Sequence, residues 1–152
     1  GGTLQVDYTP AESTGDMFGG NSNWRGPIWM PMNFLLIDSL LKFQSYYGNE
    51  YEVEYPTNSG KMVSIKQAAL SLAERLIKIF RADENGRRPM YANYEKMQTD
   101  PHFKDLVLFY EYFHGDDGKG LGAAHQTGWT GLVAELILMV NEANKAEIKE
   151  IL

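Results

Sequence analysis

Apolar residues recur at helical spacing in three stretches of this chain, separated by runs of glycine, proline and acidic residues. The first predicts a helix over about 30–47, starting near Trp29 or Pro31. Pro31 is tolerated in a first turn, where its missing N–H would have no intrahelical partner. Leu36, Leu40, Phe43 and Tyr47 form a stripe that Leu35 and Leu41 widen. Gly48-Asn49 supplies the stop. The second stretch predicts a helix over 64–81. Ser64 and Gln67 fit a capping box, in which each side chain satisfies the other's orphan backbone N–H. Ile65, Ala69, Leu72, Leu76 and Ile79 share one face, and Lys66, Glu74, Arg75 and Lys78 lie mainly on others, an amphipathic pattern. The third predicts a helix over about 128–141, beginning near Thr127 to Thr130. Leu132 to Val140 is apolar nearly all round except for Glu135, which predicts deep burial between neighbours. The tail from Asn144 to Leu152 reads as a frayed continuation.

Between these helices the signals are turns and short extended runs. Residues 1–23 read as an irregular loop, rich in glycine and polar spacers. Tyr51 to Met62 reads as a connecting excursion broken by Pro56 and Gly60. Asp83-Glu84-Asn85-Gly86 is a turn and lacks the ligand run of a calcium loop. Met90 to Tyr94 and Leu106 to Phe113 look extended, the second rich in strand-favouring residues. They are expected to pair as a small ribbon around the polar Glu95 to Lys104 linker, followed by a Gly-rich turn from Gly115 to Gly122. The fold class is mainly α. Three helices and a ribbon make a thin core, and helices alternating with functional loops suit one piece of a helical toroid.

Composition narrows the function. The chain has 152 residues, no cysteine and a net charge of −6. Disulfides and thiolate metal sites are excluded. No basic stripe offers itself to phosphates, so no nucleic-acid partner is expected. No apolar run approaches the roughly 20 residues of a membrane span, and no leader pattern opens the chain, so no membrane partner is expected. His102, His114 and His125 show no metal-ligand spacing. Gly118-Lys119-Gly120-Leu121-Gly122 lacks the Lys-Ser/Thr ending of a phosphate loop, and no serine elbow is present. No metal or cofactor is expected.

Three segments carry candidate chemistry. In Trp24-Arg25-Gly26-Pro27-Ile28-Trp29, two indoles and a guanidinium flank a stiff Gly-Pro turn. Indole faces stack on the C–H face of a sugar, and the guanidinium fork meets hydroxyls or carboxylates. The alternative is that both tryptophans are core packing. Glu111 sits between Phe109, Tyr110, Tyr112 and Phe113. On a strand it would share a face with Phe109 and Phe113. It is either an edge residue facing water or a functional acid or base, since aromatic surroundings desolvate a carboxylate. In His125-Gln126-Thr127-Gly128-Trp129-Thr130, polar and aromatic groups crowd the entrance to an apolar helix. The plain alternatives are a loop histidine bonded to backbone and a threonine N-cap.

The run from Gly20 through Trp24-Arg25-Gly26-Pro27-Ile28-Trp29-Met30-Pro31-Met32-Asn33 resembles a signature of glycoside hydrolase family 63. So does the run from Tyr110-Glu111-Tyr112 to His125-Gln126-Thr127-Gly128-Trp129-Thr130-Gly131-Leu132. The family includes processing α-glucosidases and bacterial relatives acting on α-glucosides or α-mannosides. The resemblance implies that residues 1–152 are the C-terminal part of an (α/α)6 toroid that inverts the anomeric carbon. It implies Glu111 as general base, with Trp24, Arg25 and Trp29 lining the substrate pocket and His125 and Trp129 in its last loop. Many relatives have Glu-Asn-Tyr where this chain has Glu111-Tyr112-Phe113. The family's general acid is an Asp well upstream of the Trp24 run, and neither Asp7 nor Asp16 matches its context. The implied partners are a carbohydrate substrate and the remainder of the same catalytic domain. The isolated chain is then expected to be inactive, and its uncovered apolar faces favour self-association. The competing class is a non-catalytic carbohydrate-binding module. A toroidal lyase or phosphorylase would want several arginines or a phosphate site, which Arg25 alone does not supply.

Overall fold

The computed structural model describes residues 7–14, 24–48 and 50–151. Most of the predicted N-terminal loop, residues 1–6 and 15–23, lies outside the described residues, as does Asn49 of the helix stop. The elements are α1 (Met30–Tyr47), β1 (Glu52–Glu54), β2 (Met62–Ser64), α2 (Ile65–Lys78), a 3-10 turn (Pro89–Tyr91), α3 (Glu95–Thr99), β3 (Tyr112–Phe113), β4 (Gly120–Leu121), α4 (Thr127–Thr130) and α5 (Val133–Ile151). Helix dominates, with two small antiparallel sheets. No helix among the described residues is long and apolar enough to cross a membrane. The chain divides into two compact units, one formed by residues up to Trp29 with Phe80–Thr130, the other by Met30–Ile79 with Gly131–Leu152.

In the helical unit, α2 packs against α1 and α5. Its start is the predicted capping box: the Ser64 hydroxyl accepts from the Gln67 amide at 3.1 Å, and the Gln67 side chain accepts from the Ser64 amide at 3.1 Å. Of the predicted face, Ile65, Ala69, Leu76 and Ile79 are buried and Leu72 is half-buried; Ala68, Ala73 and Ile77 join them. Alanines on the buried face let neighbouring helices approach closely. On α1 the predicted stripe is wrong. Met30, Ile37 and Gln44 are the buried residues, while Leu35, Leu36, Phe43 and Tyr47 are exposed. Apolar residues lie on nearly every side of α1, so their period does not select a face.

Gln44 is the polar residue that closes this core. Its amide nitrogen donates to the Gly48 carbonyl, and its oxygen accepts from the Lys66 amide at 3.2 Å, one of the orphan N–H groups of the first turn of α2. The excursion after α1 is a β-hairpin, with Glu52 opposite Ser64 and Glu54 opposite Met62. The third predicted helix is two pieces, α4 and α5. On α5, Val133, Leu136 and Val140 are buried, but Ile137 and Leu138 are exposed, so one face is covered rather than all sides.

In the other unit the predicted ribbon is corrected. Pro89 starts a 3-10 turn instead of a strand, and the Glu95 to Lys104 linker opens with α3. The strand that follows Glu111 pairs with a glycine-containing one: Tyr112 faces Leu121 and Phe113 faces Gly120. Phe113 also exchanges backbone hydrogen bonds with Ile28, at 2.7 and 2.9 Å, which ties the Trp24 run to β3. The acidic turn is as predicted: Asp83 accepts from the amides of Asn85 and Arg87, and Gly86 adopts φ +77°.

Candidate functional site

All three tryptophans meet beside β3. Trp29 stacks on Trp24 with ring centroids 4.1 Å apart and planes 9° from parallel. It also stacks on Tyr112, at 4.6 Å and 24°. The edge of Trp129 meets Trp24 at 6.2 Å. Exposure divides the two readings of the Trp24 run between its tryptophans: Trp29 is 3% exposed and is core, whereas Trp24 is 49% exposed and presents a free face.

Backbone contacts too close for any side chain hold this arrangement. A Cβ on Gly26 would fall 1.6 Å from the carbonyl oxygen of Thr9, and one on Gly115 would fall 2.4 Å from the carbonyl oxygen of Gly26. The Gly115 amide donates to the Pro10 carbonyl at 2.7 Å. The Gly-Pro turn is thus clamped between the 7–14 segment and the loop after β3. Arg25 is exposed beside it.

Glu111 is half-buried at the bend that leads into β3. Its amide donates to the Ala123 carbonyl at 2.8 Å, and its Oε2 accepts from the Ala123 amide at 3.3 Å. The bend interrupts the strand alternation that would have aligned Glu111 with Phe109 and Phe113. Tyr112, next in the chain, is fully buried, and its hydroxyl donates to Oε1 of Glu12 at 2.9 Å. Burial pushes the Tyr112 hydroxyl far above the usual tyrosine range; the bond to Glu12 and the negative charges of Glu12 and Glu111 push it further. The tyrosine therefore stays protonated between two carboxylates.

The last loop is tied to the same strand. His125 pairs in parallel with Phe109, and the Gln126 amide donates to the Phe109 carbonyl at 2.7 Å. The His125 side chain is exposed. Thr130 is not an N-cap: it is fully buried, and its hydroxyl donates to the Tyr110 carbonyl. That bond fixes α4 and the Trp129 ring against the site. The Trp129 indole nitrogen is buried and has no hydrogen-bond partner among the described residues.

Trp24, Trp29 and Trp129 are thus brought together, with Glu111 one residue from the Tyr112 ring that completes the stack. Sequence reasoning missed Glu12, which lies in a loop with no pattern, and the support role of Tyr112. The signal for Tyr112 was its position beside Glu111. Among the described residues no group of acidic or histidine side chains is arranged to hold a metal.

A family model described as the glycosyl hydrolase family 63 C-terminal domain matches residues 15–141. Uncharacterized protein YMR196W of Saccharomyces cerevisiae is 51% identical over 134 residues, 87% of this chain and 12% of that protein. The mannosyl-oligosaccharide glucosidase of Saccharomyces cerevisiae is 30% identical over 124 residues, 80% of this chain and 12% of that protein. The chain therefore spans about an eighth of the length of these relatives. No solved structure matches it. The family pattern runs from residue 15 to residue 141, through all three tryptophans and Glu111, and the chain belongs to glycosyl hydrolase family 63.

Proposed function

We propose that this chain is part of an inverting, exo-acting α-glycosidase that acts on oligosaccharides or small glycosides, with Glu111 as the general base. The observation that carries this reading is a carboxylate anchored by one backbone amide at the border of an aromatic cluster that exposes an indole face. In the reaction, Glu111 takes a proton from a water molecule. The water oxygen attacks the anomeric carbon on the face opposite the leaving group. A carboxylic acid across the pocket gives its proton to the departing glycosidic oxygen, and the configuration inverts. Room for the water requires the two carboxyl groups to stand about 6.5–9.5 Å apart. Trp24 supplies a stacking face, Trp29 and Trp129 support it, and Arg25 and His125 offer polar contacts at the rim.

In this reading the acid comes from another part of the same catalytic domain, which with this chain completes an (α/α)6 toroid. The 152-residue chain on its own is then inactive. The test is hydrolysis of an α-glucoside by the full-length protein carrying Glu111→Gln. Turnover should fall by about a hundredfold or more, the scale of a lost general base, with an unchanged melting temperature. Turnover within a factor of a few of the parent would overturn the assignment. The exposed face of Trp24 also suits a non-catalytic carbohydrate-binding module; sugar affinity that depends on Trp24, with no hydrolysis in the full-length protein, would select that reading.

A further inference from the structure

Tyr112 and Phe113 of β3 are both fully buried, so both faces of the strand are covered. Successive strand residues face opposite sides. Tyr112 carries the tryptophan stack, while Phe113 meets Phe80 at 5.3 Å and Tyr110 at 6.3 Å on the other side. On that second side the Tyr110 ring fills the place of a side chain at Gly120, where a Cβ would fall 2.2 Å from ring Cδ2. Beside it opens a cleft of about 420 Å³ lined by Tyr91, Asn93, Tyr94, Tyr110, Lys119 and Gly120. Among the described residues, neither Glu111 nor any tryptophan lines it.

We propose that this cleft is a second sugar-binding site, one that holds a neutral hexopyranose unit of a glycan and does no chemistry on it. Its volume falls in the usual range for small-molecule sites, about 300–1,000 Å³. The Tyr94 and Tyr110 rings offer faces to the C–H side of a pyranose, and tyrosine hydroxyls both donate and accept, as sugar hydroxyls do; Tyr91 is buried, its hydroxyl bonded to the Leu106 carbonyl and the Leu108 amide, and forms the wall behind them. The Asn93 amide adds a donor and an acceptor, and Lys119 adds a donor. An acidic or phosphorylated sugar would call for a guanidinium fork or several cations. Here one lysine stands alone, with Asp116 and Asp117 close by in the chain.

Two further observations fit a built site. Burial raises the Tyr110 hydroxyl above the usual tyrosine range, and the neighbouring Tyr91 and Tyr94 raise it further. Ala92, between two lining residues, is held at φ +42° and ψ −119°, a strained backbone for a residue with a Cβ. The Gln98 side chain donates to its carbonyl at 3.1 Å, and its own amide donates to the Pro89 carbonyl at 2.9 Å. Ala92 caps the 3-10 turn, and Asn93 and Tyr94, which follow it, line the cleft.

The site stands on its own lining and does not rest on the role of Glu111. The test is titration of the isotope-labelled 152-residue chain with methyl α-D-glucopyranoside and with methyl α-D-mannopyranoside, followed by amide shifts. Saturable shifts are expected at Asn93, Tyr94, Lys119 and Gly120 with at least one of the two. Tyr94→Ala should weaken them about tenfold, the scale of one lost stacking ring, and Asn93→Ala should weaken them with spectral dispersion retained. Glu111→Gln should leave this curve intact, which separates the cleft from the catalytic proposal. Absence of saturable shifts in the cleft would overturn it. So would shifts confined to the surroundings of Trp24 and Trp129, or binding only of glucuronate that disappears in high salt.

Discussion

Gly122 lies so close to Glu111 that a Cβ on it would stand 2.7 Å from the carboxylate Oε2 and 2.9 Å from the Glu111 Cβ. Gly122 also adopts φ +69°, which other residues reach only at a cost. Gly122→Ala should therefore act twice. The backbone cost should lower stability by about 1–2 kcal/mol in a denaturant titration. Displacement of the carboxylate should lower turnover of the full-length protein by up to about a hundredfold, as small misplacements of a catalytic group do. A loss of stability with unaltered turnover would separate Gly122 from the chemistry.

The two tryptophans of the Gly-Pro turn should respond differently. Trp29→Ala removes a ring stacked on two partners and should destabilise by about 3–5 kcal/mol. Trp24→Ala removes a half-exposed ring and should cost far less stability while weakening sugar binding. Calorimetric unfolding and a glycoside titration on both variants check the pair. Equal losses of stability would contradict the division into core and platform.

Tyr112 gives a pH signature. An unfolded tyrosine ionises near about pH 10, and the folded Tyr112 ionises higher because burial, then Glu12, disfavour the phenolate. Above that unfolded value the native chain keeps a proton that the unfolded chain has lost. Stability should thus be full below about pH 10 and fall as pH rises beyond it. Tyr112→Phe keeps the ring on Trp29 and should flatten this alkaline slope, at a cost of about 1 kcal/mol at neutral pH for the lost bond to Glu12. Denaturation midpoints measured across the alkaline range decide it.

In the helical unit the capping box should be worth about 1 kcal/mol, so Ser64→Ala should lower stability by that amount and Ser64→Asp should restore most of it. Unchanged midpoints in both variants would mean that α2 is held by packing alone.

What the sequence made legible depended on how local each cause is. The start of α2 was readable because Ser64 and Gln67 act within a few residues; its end, expected at Arg81 before the Asp83 to Gly86 turn, comes at Lys78. The buried face of α1 was not readable, because that helix is apolar on most sides and tertiary contacts choose among them. The ribbon failed for the same reason. Tyr112 and Phe113 look like strand residues, but their partner strand contains Gly120, whose suitability comes from the Tyr110 ring packed over it. Residue type left Trp24 and Trp29 open between core and platform, and only the resemblance to glycoside hydrolase family 63 grouped them with Trp129. The stack on Tyr112, the tie from Tyr112 to Glu12 and the clamp of Gly26 against Thr9 are contacts between distant segments that no local pattern encodes.

The gathering of all three tryptophans into one ring cluster also makes the chain an unequal reporter of itself. Indole emission follows the unit that contains Glu111 and says nothing of α1, α2 and α5. Far-ultraviolet dichroism is dominated by those helices. Thermal curves recorded with the two signals on a single sample therefore track the two halves of the molecule separately, and any gap between their midpoints measures how independently the halves melt.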